Sequence, residues 1–176
     1  MFFIQKVVNG LFISIFIWFL NLPMTRIMFV CHGNICRSPM AEFVMKDLVK
    51  KKHVEPSFTI ASSATSTEEL GNPVYPPAKA ELKKHGISCE GKCAVQLKSS
   101  DYDKYDIFAV MDDNNLRNIK YIFPSDPKKK IHKLLEFANR KDDIADPWYR
   151  GNFDKTYQDI CEGCNGLLEY ILKDKK

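Results

Sequence analysis

Short apolar segments alternate with segments of helical periodicity along most of this 176-residue chain, and this alternation limits the fold more than any other feature. Residues 27–30 form a continuous apolar run, as expected for a strand buried on both faces of a parallel sheet. Strands that alternate with helices form parallel sheets covered on both faces. We therefore predict an α/β fold in three layers, with a four-stranded parallel sheet between helices. The predicted strands are 27–30, 58–61, 105–111 and 131–137, and the predicted helices begin near 38, 76, 112 and 154.

Composition is that of a single globular domain with a proper core, because 45% of residues are hydrophobic and 27% are charged. A net charge of +4 is too small to indicate a nucleic-acid partner, and the basic run at 128–133 is interpreted as a solvated loop that enters a strand. Six cysteines spread through a chain of this size indicate reduced thiols in the cytoplasm. Cys161-x-x-Cys164 has no second pair of ligands, so we predict packing and no metal site.

Residues 7–22 are strongly apolar and follow Lys6, which resembles a signal-peptide core or a short membrane anchor. No small-residue cleavage site precedes Pro23, and no linker separates this run from the first strand. We therefore expect residues 1–23 to lie outside the fold and residues 24–176 to form the single domain. Translation from Met24 is the preferred explanation, and membrane association through residues 1–23 is the alternative.

The segment from Cys31 to Pro39 joins the first strand to the first helix, and active sites of such folds lie at the carboxyl ends of strands. Backbone amides converge at a helix N-terminus and bind anions there. Gly33 and Asn34 tolerate positive φ, so the loop is expected to curl into an amide-lined nest. Five residues separate Cys31 from Arg37, a spacing that would place the sulfur beneath a bound phosphate and the guanidinium beside it.

Cys31 is the expected nucleophile, because a helix N-terminus and a nearby arginine favour the thiolate form of a cysteine. The Ser38 hydroxyl is expected to bind the sulfur, to cap the helix, or both. The loop lacks the Gly-Lys-Ser/Thr ending of a nucleotide-binding loop, and no carboxylate system for magnesium is evident. Phosphoryl transfer to cysteine without a metal or other cofactor is therefore favoured.

Asp146 is the candidate general acid, since transfer to a thiolate requires a proton donor for the departing oxygen. It precedes Pro147, which favours an extended backbone, and Trp148 and Tyr149 follow as walls of an aromatic slot. On local sequence alone, a surface turn explains this segment equally well.

The pattern Val30-Cys31-x-Gly33-Asn34-x-Cys36-Arg37-Ser38-Pro39 resembles the phosphate loop of the low-molecular-weight protein-tyrosine phosphatases, and Asp146-Pro147-Trp148-Tyr149 resembles their acid loop. The resemblance extends from about Met24 to the C-terminus. It implies the phosphotyrosine phosphatase I-like fold, a phosphocysteine intermediate hydrolysed by water, and no cofactor. The implied substrates are phosphotyrosine-containing proteins or small aryl phosphates, with inorganic phosphate as product.

Matching positions assign a role to each site residue. Asn34 would hold a strained turn of the loop, Ser62 would join its hydrogen-bond network, and Cys36 could form a reversible disulfide with Cys31. The implied catalytic residues are Cys31, Arg37 and Asp146, the substrate-binding residues are His32, Gly33, Asn34, Ile35, Cys36, Ser38, Trp148 and Tyr149, and Ser62 is supporting.

Two positions depart from the family or bear on its specificity. Many members carry an aromatic residue near the position of Glu68, and relatives that dephosphorylate arginine have a smaller threonine in place of Ile35. The bulk of Ile35 favours phosphotyrosine over phosphoarginine.

Two other functions compete with phosphatase activity. Arsenate reductase shares this fold and uses two further cysteines as a redox relay, for which Cys89 and Cys93 are the candidates. The residues around them resemble the phosphatases instead. A module that binds phosphotyrosine without turnover is disfavoured because both Cys31 and Asp146 are present.

Overall fold

The computed structural model describes residues 23–174, and its centre is one parallel sheet of four strands in the order β2-β1-β3-β4. The strands are β1 (Thr25–Cys31), β2 (Phe58–Ala64), β3 (Ile107–Val110) and β4 (Ile131–Lys133). The helices are α1 (Arg37–Lys51), α2 (Pro76–Lys84), α3 (Asp113–Ile122), α4 (Pro147–Arg150) and α5 (Phe153–Asp174), and short 3₁₀ turns occupy Glu55–Ser57, Ser99–Asp101 and Leu134–Ala138.

Each face of the sheet is covered, because successive side chains of β1 enter opposite cores. Ile27 and Phe29 belong to the larger core, together with residues of α1 and α5. Met28 and Val30 belong to the smaller core, which includes Ile119 of α3. The predicted three-layer α/β fold with a four-stranded parallel sheet is therefore confirmed.

The fourth strand is shorter than predicted, since β4 ends at Lys133 and the next five residues form a 3₁₀ turn. Leu134 and Leu135 are buried in this turn, which packs against α5. A Cβ at Gly166 would lie 2.3 Å from the carbonyl oxygen of Phe137, so this close approach requires glycine. The prediction of strand to residue 137 was wrong because a short segment of mixed apolar and charged residues does not distinguish a strand from a turn with buried leucines.

The carboxyl ends of β1 and β3 lie side by side in the middle of the sheet, and β1 leads directly into the loop before α1. None of the helices within residues 23–174 is long and apolar enough to cross a membrane. The predicted apolar extension at residues 7–22 lies outside the described residues.

Candidate functional site

The loop between β1 and α1 curls over the N-terminus of α1, and one residue of this loop has a left-handed backbone. Asn34 has φ 57°, whereas Gly33 is not among the residues with positive φ. Of the two residues that tolerate positive φ, Asn34 is therefore the one that adopts it. A Cβ at Gly33 would lie 3.1 Å from Cγ of Glu69, so a larger residue there would require the Glu69 side chain to shift.

Cys31 lies buried at the base of this loop, where two polar groups contact its sulfur. The Ser38 hydroxyl lies 3.0 Å from Sγ, and the backbone amide of Asn34 donates to Sγ at 3.3 Å. The helix has no side-chain cap, so Ser38 contacts the sulfur and does not cap α1.

The Asn34 side chain is buried and uses all of its hydrogen-bonding capacity to hold the loop. Its Nδ2 donates to the hydroxyls of Ser38 and Ser62, both at 2.8 Å. Its Oδ1 accepts from Nζ of Lys92 at 2.9 Å and from the Val95 amide at 3.0 Å. Asn34 therefore links the loop to Ser62 and to the segment that contains Lys92 and Val95.

The buried Glu42 and the partly buried Lys92 complete this network, and neither was identified as a site residue from the sequence. The Ser62 hydroxyl donates to the Glu42 carboxylate at 2.6 Å, and Nζ of Lys92 lies 3.8 Å from the same oxygen. Burial lowers the pKa of Lys92. Glu42 lies one turn after Ser38 on α1, which was the available signal, but a charged residue in a helix usually faces solvent.

Arg37 extends from the loop toward two carboxylates and is only 2% exposed. Its Nη1 donates to Asp112 and, at 3.0 Å, to the carbonyl of Ile144, while its Nη2 donates to Oδ2 of Asp146 at 2.6 Å. Burial opposes the positive charge, but Cys31, Asp146 and Asp112 outweigh it and raise the pKa of Arg37. The arginine is therefore fully charged near Cys31.

Asp112 was not identified as a site residue, although it lies two residues after the end of β3. Its Oδ1 accepts the Asn115 amide at 2.6 Å, which caps α3 and leaves Oδ2 for the arginine. A buried carboxylate that both caps a helix and pairs with Arg37 fixes the direction of the guanidinium.

Asp146 lies at the N-terminus of α4, where its Oδ1 accepts the Trp148 amide at 3.1 Å. Its side chain is 25% exposed, so the carboxyl group can reach a bound substrate. The contact with Arg37 shows that this segment faces the phosphate loop, so the surface-turn alternative does not describe it.

A cavity of about 220 Å³ opens above Cys31. Trp148 packs on Tyr75 with ring centroids 4.8 Å apart, and Tyr149 is 84% exposed at the rim. His32 lies at the same rim, with Nε2 3.0 Å from the Glu68 carboxylate. The cavity is lined by Cys31, His32, Gly33, Ile35, Cys36, Arg37, Glu68, Glu69, Asp146, Trp148 and Tyr149.

All six cysteines are free thiols. Burial and the neighbouring Cys31 raise the pKa of Cys36, so Cys36 is a protonated thiol. Cys89 is buried and Cys93 is exposed, and neither lines the cavity above the loop. Cys164 is packed in the larger core.

Residues 26–176 match the family model described as low molecular weight phosphotyrosine protein phosphatase. The chain belongs to this family. PtpA of Staphylococcus aureus, named a low molecular weight protein-tyrosine-phosphatase, is 37% identical over 152 residues, which cover 86% of this chain and 96% of PtpA.

Solved structures of similar proteins support the same assignment to the low-molecular-weight phosphatases. YfkJ from Bacillus subtilis superposes with a TM-score of 0.83 at 36% identity, covering 87% of this chain and 98% of YfkJ. The low molecular weight protein tyrosine phosphatase of Streptococcus pyogenes gives a TM-score of 0.75 at 35% identity, covering 87% of this chain and all 100% of that chain. The resemblance predicted from the sequence is confirmed.

Proposed function

We propose that this member of the family is a cysteine-dependent protein-tyrosine phosphatase that hydrolyses phosphotyrosine monoesters through a phosphocysteine intermediate. The observation that carries the proposal is the position of Arg37, which begins in the loop around Cys31 and reaches the Asp146 carboxylate at 2.6 Å. Nucleophile, cation and acid thus share one cleft, as phosphoryl transfer to a thiolate requires.

In the first step, the Cys31 thiolate attacks phosphorus, and the bond between phosphorus and the tyrosyl oxygen breaks. Loop amides and the Arg37 guanidinium stabilise the negative charge on the equatorial oxygens. Asp146, in its protonated form, donates its proton to the departing phenolate. The products are free tyrosine in the protein substrate and phosphorylated Cys31.

In the second step, water attacks the phosphorus of the intermediate. The Asp146 carboxylate accepts a proton from this water, the bond between sulfur and phosphorus breaks, and inorganic phosphate leaves. The Ser38 hydroxyl and the Asn34 amide, which contact the sulfur at 3.0 and 3.3 Å, stabilise the thiolate that departs.

The walls of the cavity support an aryl substrate. Ile35 and Trp148 present apolar surface between the rim and the sulfur, which suits a flat phenyl ring. A phosphoarginine substrate would bring a charged guanidinium against the same apolar surface, at a desolvation cost. Phosphotyrosine is therefore our proposed substrate, and hydrolysis of matched phosphotyrosyl and phosphoarginyl peptides would distinguish the two.

Hydrolysis of aryl phosphates by Cys31→Ser and Asp146→Ala tests the mechanism. We expect Cys31→Ser to have no turnover, and Asp146→Ala to lose about 10²-fold or more with poor leaving groups. Full activity of Cys31→Ser would refute the proposal. A double replacement of Cys89 and Cys93 by serine should keep nearly full turnover, whereas a collapse would favour the arsenate reductase relay.

We also propose that residues 24–176 form the catalytic domain and that it acts in the cytoplasm. Thr25 pairs with Phe58 at the N-terminal end of β1, whereas Cys31 is at its carboxyl end. Pro23 therefore enters the fold at the end of the sheet remote from the site. Fractionation of cells that express the whole chain tests this proposal, and recovery in the membrane pellet would contradict a purely cytoplasmic protein.

A further inference from the structure

Lys133 is a buried lysine at the end of β4, and the proposed reaction does not use it directly. Its side chain is only 10% exposed, and its Nζ has three oxygen partners. These are Asp143 at 2.9 Å, Asp113 at 3.0 Å and the carbonyl of Lys141 at 2.7 Å. Burial opposes the charge, but the hydrogen bonds that Lys133 donates to its two carboxylate partners outweigh burial and raise the pKa of Lys133.

The three partners belong to two different segments of the chain. Asp113 begins α3, whereas Lys141 and Asp143 lie in the segment 139–146 that ends at Asp146. Asp143 also accepts the Asp113 amide at 3.2 Å. Lys133 therefore joins β4, the first turn of α3 and the acid-bearing segment at one point.

Other contacts also hold this segment near the acid. The Ile144 amide donates to the Met111 carbonyl at 2.9 Å, and the Ile144 carbonyl accepts from Arg37 at 3.0 Å. The Ala145 carbonyl, directly before Asp146, accepts from the Thr156 hydroxyl at 3.3 Å. Removing the lysine would leave these contacts in place but would deprive the Asp143 carboxylate of its cation, with the Asp113 amide as its remaining donor.

We propose that Lys133 is a positioning residue for the proposed general acid, which it acts on through Asp143 and the backbone of residues 141–146. The inference rests on the proposed role of Asp146. An acid displaced by even an ångström or so transfers its proton poorly, and displacements of this size cost up to about 10²-fold in rate. The loss should appear only where protonation of the leaving group limits the reaction.

The test compares phenyl phosphate, a poor leaving group, with dinitrophenyl phosphate, which needs little protonation. We expect Lys133→Met to lower kcat/KM about tenfold for phenyl phosphate and less than about twofold for dinitrophenyl phosphate. Lys104→Met is the matched control, because Lys104 pairs with Asp101 in a loop before β3, away from the site. It should leave both values unchanged.

A double variant shows whether Lys133 acts through Asp146. In the Asp146→Ala background, Lys133→Met should cause no further loss with phenyl phosphate, because coupled residues are not additive. Equal losses with both substrates, or a full further loss in the double variant, would overturn the inference. Asp143→Asn removes the negative charge that pairs with Lys133, from the exposed side of the contact, and is expected to show the same selectivity, which keeps the test decisive where Lys133→Met does not fold.

The two proposals fail in different ways. If Asp146→Ala itself shows no dependence on the leaving group, the acid role is wrong. If Asp146→Ala is selective and neither Lys133→Met nor Asp143→Asn is, only the positioning role of Lys133 is wrong.

Discussion

Replacing Asn34 by alanine should destabilise the whole domain, because one side chain joins four separate groups. The Val95 amide would lose its acceptor, at about 1–3 kcal/mol. Lys92, Ser38 and Ser62 would each lose one bond but keep other partners, at about 0.5–1 kcal/mol each. Alanine is also strained at φ 57°, by about 1 kcal/mol. The free energy of unfolding should therefore fall by about 4 kcal/mol.

Asn139 offers a matched control, since it has the same φ of 57° but is exposed. Within residues 23–174 its side chain makes no hydrogen bond, so Asn139→Ala should cost only the backbone strain of about 1 kcal/mol. Urea denaturation of both variants, followed by circular dichroism, gives the two values. If Asn34→Ala costs no more than Asn139→Ala, the network beneath the loop contributes nothing to stability and the reasoning is refuted.

Three further predictions concern the core, oxidation and pH. Gly166→Ala places a Cβ against the Phe137 carbonyl and should lower the free energy of unfolding by about 2 kcal/mol in urea denaturation. Cys36→Ser should make inactivation by hydrogen peroxide irreversible to dithiothreitol, because Cys31 then lacks a thiol to form a protective disulfide; full recovery would contradict this. Burial opposes ionisation of Asp126, but the hydrogen bonds it accepts outweigh burial and lower its pKa. Its contribution to stability is therefore present above about pH 4 and disappears as the pH falls through the folded-state pKa, so Asp126→Asn should be less stable than wild type at pH 7 and equally stable in strong acid.

The phosphate loop and the acid segment were predictable because each is a continuous run of residues whose backbone conformation depends on residues close in sequence. Cys31 and Arg37 are six positions apart on a loop that leads into a helix, and Asp146 is marked by the proline that follows it. Their types and spacing alone limit the chemistry.

The supporting residues were not predictable, because their partners are distant in sequence. Lys92 meets Asn34 across 58 positions, and nothing near Lys92 indicates burial. The end of β4 failed for a related reason, since the turn at Leu134 depends on packing against Gly163 and Gly166. Long-range contacts decide both features, and local patterns do not contain them.

The pairing of Arg37 with two carboxylates has a consequence for turnover. An unopposed guanidinium in a pocket of amides would retain inorganic phosphate as firmly as it captures a phosphoester. Here Asp112 and Asp146 each accept from one Nη atom, so an arriving dianion competes with the Asp146 contact and a departing one is replaced by it. This competition lowers the affinity of the site for inorganic phosphate. We therefore expect weak product inhibition by phosphate in steady-state assays.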